Sequence, residues 1–184
     1  MAWKHPESTA ALGLTIYLLI VGLGAMLLIA ANFPTTTADG NVEFATFIPL
    51  NWVPSDDQAM ALMAFLAGVT GSFLHASQSL ASYVGNGEFK TSWATWYFLR
   101  PWIGGILGFS LYFVFRAGLI GGAGTFNPYG LIAVGLLGGW FSKTTTDKLQ
   151  EVFETLFKTE ADKERKDKLT PTTRTATTQT ATTQ

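Results

Sequence analysis

The sequence predicts an all-α integral membrane protein: a bundle of four transmembrane helices followed by a cytoplasmic amphipathic helix. Three observations predict it. Charged residues are only 14% of the 184-residue chain, against about 25% in typical soluble domains. Their placement is uneven: none falls in 8–38, 58–87 or 117–142, and 91–115 holds only Arg100. A bilayer core about 30 Å thick takes roughly 20 apolar residues of helix, and four segments meet that length: 10–31, 60–84, 96–119 and 127–145. The chain therefore divides into a four-span domain (1–145), a cytoplasmic helix (146–168) and a Thr-rich tail (169–184).

The same composition excludes several classes. A net charge of -1 does not suit a nucleic-acid binder. The absence of Cys removes a disulfide scaffold, thiolate catalysis and Cys-based zinc sites. A hydrophobic share of 48% is too high for a disordered chain.

The first segment, 10–31, carries a longer apolar run than the 7–15 residues of a signal peptide, and its basic flank is only Lys4. A retained helix is expected rather than a cleaved leader. The connection 32–57 has no Lys or Arg and holds Asp39, Glu43, Asp56 and Asp57. Lys4, Lys90, Lys143 and the basic residues of the tail fall on the opposite side. By the positive-inside rule both termini are cytoplasmic. The 32–57 connection is rich in Pro and aromatic residues, among them Phe33, Phe44, Phe47 and Trp52. Such rings suit the headgroup level, so an interfacial anchor is expected, with a partner-binding or re-entrant loop as the alternative.

In the second segment, Ala61, Ala64, Gly68, Gly71, Ser72, His75, Ser79 and Ser82 recur at steps of three and four. Small residues at that spacing let helix backbones approach closely. The alternative is a polar wall along a hydrated cavity. His75 is the only His within the spans, and no Cys, Asp or Glu accompanies it there. A metal site needs three or four converging ligands, so none is expected. Bonding to a Ser of a neighbouring helix is the simpler role for His75. Convergence of several copies on one axis would give it a gating or pH-sensing role, because His titrates near neutrality.

The third segment places Arg100 and Arg116 16 residues apart, roughly 24 Å of helix. Both can reach opposite interfaces by snorkelling. Asp56 and Asp57 are candidate partners for Arg116, and Glu88 for Arg100. Pro101, expected near the start of that helix, would cost little there. Gly104 and Gly108 form one Gly-x-x-x-Gly pair, and Gly135 and Gly139 form another in the fourth segment. Four Gly-rich helices enclose little interior, so their small-residue faces predict a homo-oligomer.

Beyond the fourth segment, Leu149, Val152, Phe153, Leu156 and Phe157 form an amphipathic helical stripe. The opposite face mixes Asp147, Lys148, Glu151 and Glu154. A membrane-surface helix prefers a basic polar face, so this one is expected to pack on protein. Residues 160–168 can extend the helix through oppositely charged pairs. The tail repeats Thr-Ala-Thr-Thr-Gln at 175–179 and 180–184 and is expected to be disordered.

No enzyme motif survives inspection. Gly121-Gly122-Ala123-Gly124 lacks the Lys-Ser or Lys-Thr of a phosphate loop, and neither His-Glu-x-x-His nor Gly-x-Ser-x-Gly occurs. No catalysis and no cofactor are expected. The interaction reading has the lipid bilayer, a second copy and a cytoplasmic protein as partners. The rival is a small oligomeric channel lined by the His75–Ser82 face or by Arg100 and Arg116, where rings of Arg would favour anions.

Three stretches also carry a likeness. They are Gly71-Ser72-Phe73-Leu74-His75 with Tyr83-Val84-Gly85-Asn86; Trp93 and Trp96-Tyr97-Phe98-Leu99-Arg100-Pro101 through Arg116-Ala117-Gly118; and Asn127-Pro128-Tyr129-Gly130 through Phe141-Ser142 to Lys148-Leu149 and Glu151–Phe157. Together they resemble a group of uncharacterised bacterial multi-pass membrane proteins over residues 60–157. That resemblance implies a bacterial inner-membrane address and no particular activity.

Overall fold

The computed structural model describes residues 5–36, 42–43, 46–47, 51–119 and 127–156. They form five helices: α1 (His5–Ala31), α2 (Asp56–Gly85), α3 (Ala94–Arg116), α4 (Pro128–Trp140) and α5 (Ser142–Leu156). A 3-10 turn at Thr91–Trp93 leads into α3. Helices α1, α2 and α3 are long and apolar enough to cross a membrane by length and composition.

Local chemistry explains the boundaries. Ser55 caps α2 in a reciprocal box: its hydroxyl accepts from the Gln58 N–H, and the Gln58 amide oxygen accepts from the Ser55 N–H at 3.0 Å. At the other end Gly87, with φ 70°, takes the left-handed position that closes the helix. Gly118, with φ 71°, does the same after α3. Asn127 caps α4, accepting from the Tyr129 N–H at 2.9 Å, and Pro128 follows at the first helical position.

Two boundaries differ from the sequence reading. A single helix is expected over 127–145, whereas α4 is 13 residues long, about 20 Å. Phe141, at φ -98° and ψ 43°, leaves the helical basin and separates α4 from α5. Gly138 and Gly139 hold a helix weakly. Beyond them the Thr145 hydroxyl donates to the Gly138 carbonyl at 3.1 Å, in place of an unbroken backbone ladder. Pro101 is the second difference. Because α3 starts at Ala94, Pro101 lies inside the helix and removes the bond its N–H would make to the Tyr97 carbonyl.

Between α1 and α2, among the described residues, Phe47 packs onto the bundle. Thr35–Thr36 pairs antiparallel with Val42–Glu43, in the register Thr35 to Glu43. Phe47 bridges to Trp52, its N–H donating to the Trp52 carbonyl at 2.6 Å. The Phe47 ring is buried with Ala25, Met63 and Leu66. It thus acts as a core residue, not as the interfacial ring the sequence suggests. Phe44, Asp39 and residues 48–50 lie outside the described residues.

The chain divides into two compact units, Met1–Leu149 and Gln150–Gln184. In the first, α2 is the central helix and packs against α1, α3 and α4. One stripe of α1 (Ala11, Leu14, Leu18, Gly22 and Ala25) is buried at steps of three and four. The α2–α3 pair is antiparallel, with Gly68 beside Gly104 and Ala64 beside Gly108. The α2–α4 pair runs parallel, with Ala64 beside Gly135 and Gly68 beside Gly139. Of the second unit, residues 150–156 are described, as the last turns of α5. Phe157, the charged 160–168 stretch and the tail lie outside the described residues, as does the 120–126 connection with its glycines.

Candidate functional site

The small residues singled out in the sequence meet at one three-helix seam. A Cβ on Gly68 would run into the Gly104 carbonyl, and one on Gly108 into the Ala64 carbonyl. On the other flank of α2, a Cβ on Gly139 would strike the Gly68 carbonyl, and one on Gly71 the Leu136 carbonyl. Gly135 approaches the Ala64 carbonyl, at 3.0 Å from its ideal Cβ position. Gly104 faces the Ser72 side chain. Dispersion between touching backbones is the attraction left to helices in lipid, and it needs this proximity. The small residues of α2, α3 and α4 at this seam thus face one another within one chain.

The polar residues of α2 go to different places. Ser72 is buried, and its hydroxyl donates to the Arg100 carbonyl at 2.9 Å. Ser79 and the buried Tyr97 share a hydroxyl–hydroxyl bond of 3.1 Å. Ser82 is exposed. His75 is half-buried and within electrostatic reach of Arg100. The bond to a Ser of a neighbouring helix expected for His75 does not form among the described residues, whereas Ser72 and Ser79 of its own helix both bond to α3. These contacts occupy much of the face that a conduit along His75–Ser82 would need.

The two arginines are held differently. Arg100 makes no ion pair with Glu88 among the described residues. Its guanidinium carbon lies 5.2 Å from the ring centroid of Trp96, one helical turn earlier on α3. Its Nε is buried without a hydrogen-bond partner. Arg116 pairs with Asp57, Nε to Oδ1 at 3.0 Å and Nη2 to Oδ2 at 3.4 Å. The Tyr112 hydroxyl donates to the same Asp57 Oδ1 at 2.7 Å. Of the two carboxylates weighed for Arg116, Asp57 is the one engaged. No group of three or more potential metal ligands occurs among the described residues.

Tyr112 and Tyr17 were not visible as site residues in the sequence. Tyr112 precedes Arg116 by four residues and so shares its helix face, a spacing that could have flagged it. Tyr17 donates to the Phe98 carbonyl at 2.9 Å and accepts from the Trp102 Nε1–H at 2.9 Å, which ties α1 to α3. Nothing in local spacing announces a contact made across 81 residues.

Two grooves remain. One, of about 760 Å³, runs between α2 and α3. Its walls are Ala61, Leu62, Phe65, Ile106, Phe109 and Phe113, and Trp52, Gln58 and the Asp57–Tyr112–Arg116 cluster stand at one end. The other, of about 270 Å³, lies where α3, α4 and the start of α5 meet, with Leu111, Phe115, Val134, Lys148 and Leu149 among its lining residues. Further along α5, Val152 is half-buried, while Phe153 and Leu156 are 60% and 54% exposed. The polar side of that helix includes a Gln150–Glu154 side-chain bond of 2.7 Å. Comparisons with protein-family models, curated proteins and solved structures found no match for this chain.

Proposed function

We propose that this chain is an assembly or interaction component of a bacterial inner membrane. In this reading it has four spans, cytoplasmic termini and α5 as the surface offered to a second copy or to a cytoplasmic protein. The observation that carries the reading is the exposed Phe153–Leu156 pair on a helix whose other side mixes charges of both signs. A leucine side chain held in water costs roughly 1.5–3 kcal/mol relative to burial, which favours an apolar cover over Leu156. The mixed face suits protein better than an anionic lipid surface. The internally satisfied glycine seam leaves α5 as the better site for association. The docking of α1 through Tyr17 supports a retained first helix. For the fourth span, a helix of about 20 Å needs help from local bilayer thinning, and Lys143 just past its end is placed to snorkel.

The test compares the intact chain with F153E/L156E and with a chain lacking 147–168, all in one detergent, by light-scattering mass. Assembly through α5 predicts a multimer, or a co-purifying cytoplasmic protein that crosslinks to α5, for the intact chain and its loss in both variants. An intact chain that is monomeric and crosslinks to nothing, or masses unchanged in the variants, would sink the proposal.

A further inference from the structure

We infer that the α2–α3 groove binds one phospholipid of the adjoining leaflet. The acyl chain fills the apolar trough, and an amine-bearing zwitterionic headgroup sits at Asp57 and Arg116. The site shares no residue with α5 and stands apart from the assembly reading.

The length of the groove is the first support. Its lining on α3 runs from Arg116 to Ile106, ten helical steps apart, or about 15 Å of helix. A bilayer core is about 30 Å thick, so the trough is one leaflet deep. The distribution of polarity is the second. The charged groups of the groove, Asp57 and Arg116, lie together at the helix ends, and the deep part holds Phe65, Ile106 and Phe109. A phospholipid has that same division. Access is the third: Ile106 and Phe113 are 60% and 52% exposed, so the trough opens sideways, where lipid would be.

Charge complementarity selects the headgroup. Asp57 and Arg116 are both more than half exposed and pair at the rim. Asp56 adds a second carboxylate on the same first turn of α2. A guanidinium has five N–H donors, and two of those on Arg116 go to Asp57. A phosphate can take donors from the remainder, while a primary ammonium finds the carboxylates. A headgroup with a phosphate and no ammonium meets more carboxylate than guanidinium.

The experiment uses the full chain, purified and stripped of lipid in a mild detergent. Equimolar phosphatidylethanolamine, phosphatidylcholine and phosphatidylglycerol are added, and bound lipid is read by native mass spectrometry. The expected result is one retained phosphatidylethanolamine, preferred about tenfold over phosphatidylglycerol. I106W fills the trough at an exposed position, so it should retain wild-type circular dichroism and melting while bound lipid falls about tenfold. D57N should retain the chain site and lose the headgroup preference. Equal retention of the three lipids, preference for phosphatidylglycerol, or unchanged binding by folded I106W overturns the inference. Should I106W misfold, F113W, also at an exposed trough position, replaces it with the same expected loss.

Discussion

Gly68 shows what a single position can decide. Its carbonyl faces Gly139 and its missing Cβ faces Gly104, so α2 touches α3 and α4 there backbone to backbone. Gly68→Val has no flexible neighbour to displace. It should destabilise the fold by about 3 kcal/mol or more, seen as a lower melting temperature in detergent. Gly13, on α1, has nothing within 4 Å of an ideal Cβ. Gly13→Ala should be neutral or stabilising by up to about 1 kcal/mol, the helix-propensity difference. If both substitutions melt alike, the seam is not what holds the helices together. Ser72→Ala removes the bond to the Arg100 carbonyl but fits the same space. Hydrogen bonds between membrane helices are worth about 0.6 kcal/mol on average, so its effect should be well below that of Gly68→Val. The sequence shows which residues are small enough for a seam. It does not show that Gly68 serves both neighbours, because that depends on α3 and α4 reaching α2 at the same height.

The elements were legible to different degrees. The long apolar runs of α1, α2 and α3 announce helices, since no other backbone arrangement pairs its polar groups inside lipid without partner strands. The capping box at Ser55 marks the start of α2 just as plainly. Ser55→Ala should cost about 1 kcal/mol, measurable by chemical or thermal melting. The end of the fourth apolar run near Phe141 was legible, but not that the helix breaks there, although the ingredients were visible: a Gly pair before it and hydroxyl residues after it. Each is tolerated inside a helix, and the Thr145 contact with the Gly138 carbonyl exists only once the chain has turned. Thr145→Val keeps the shape and removes that donor. Amide exchange around 138–145 should then rise, and unchanged protection would show that the hydroxyl does not hold the turn.

For the whole molecule, two tests address topology and transport. Single cysteines at Thr36 and Thr178, probed in intact cells with a membrane-impermeant thiol reagent, should label on opposite sides. Same-side labelling would break the four-span arrangement. Ser72 and Ser79 spend their hydroxyls on α3. The purified chain in planar bilayers should accordingly carry no unitary current, and reproducible steps that vanish in a Ser79→Leu variant would restore the channel reading. Charge scarcity and the length of the apolar runs were enough to predict helices suited to a bilayer, because desolvating charge is so costly that sequence alone must avoid it. Which helix lies at the centre, which carboxylate answers Arg116, and that Gly68 meets both Gly104 and Gly139 within one chain all depended on packing. Those features arise from distances between segments far apart in the chain, and local periodicity carries no information about such distances.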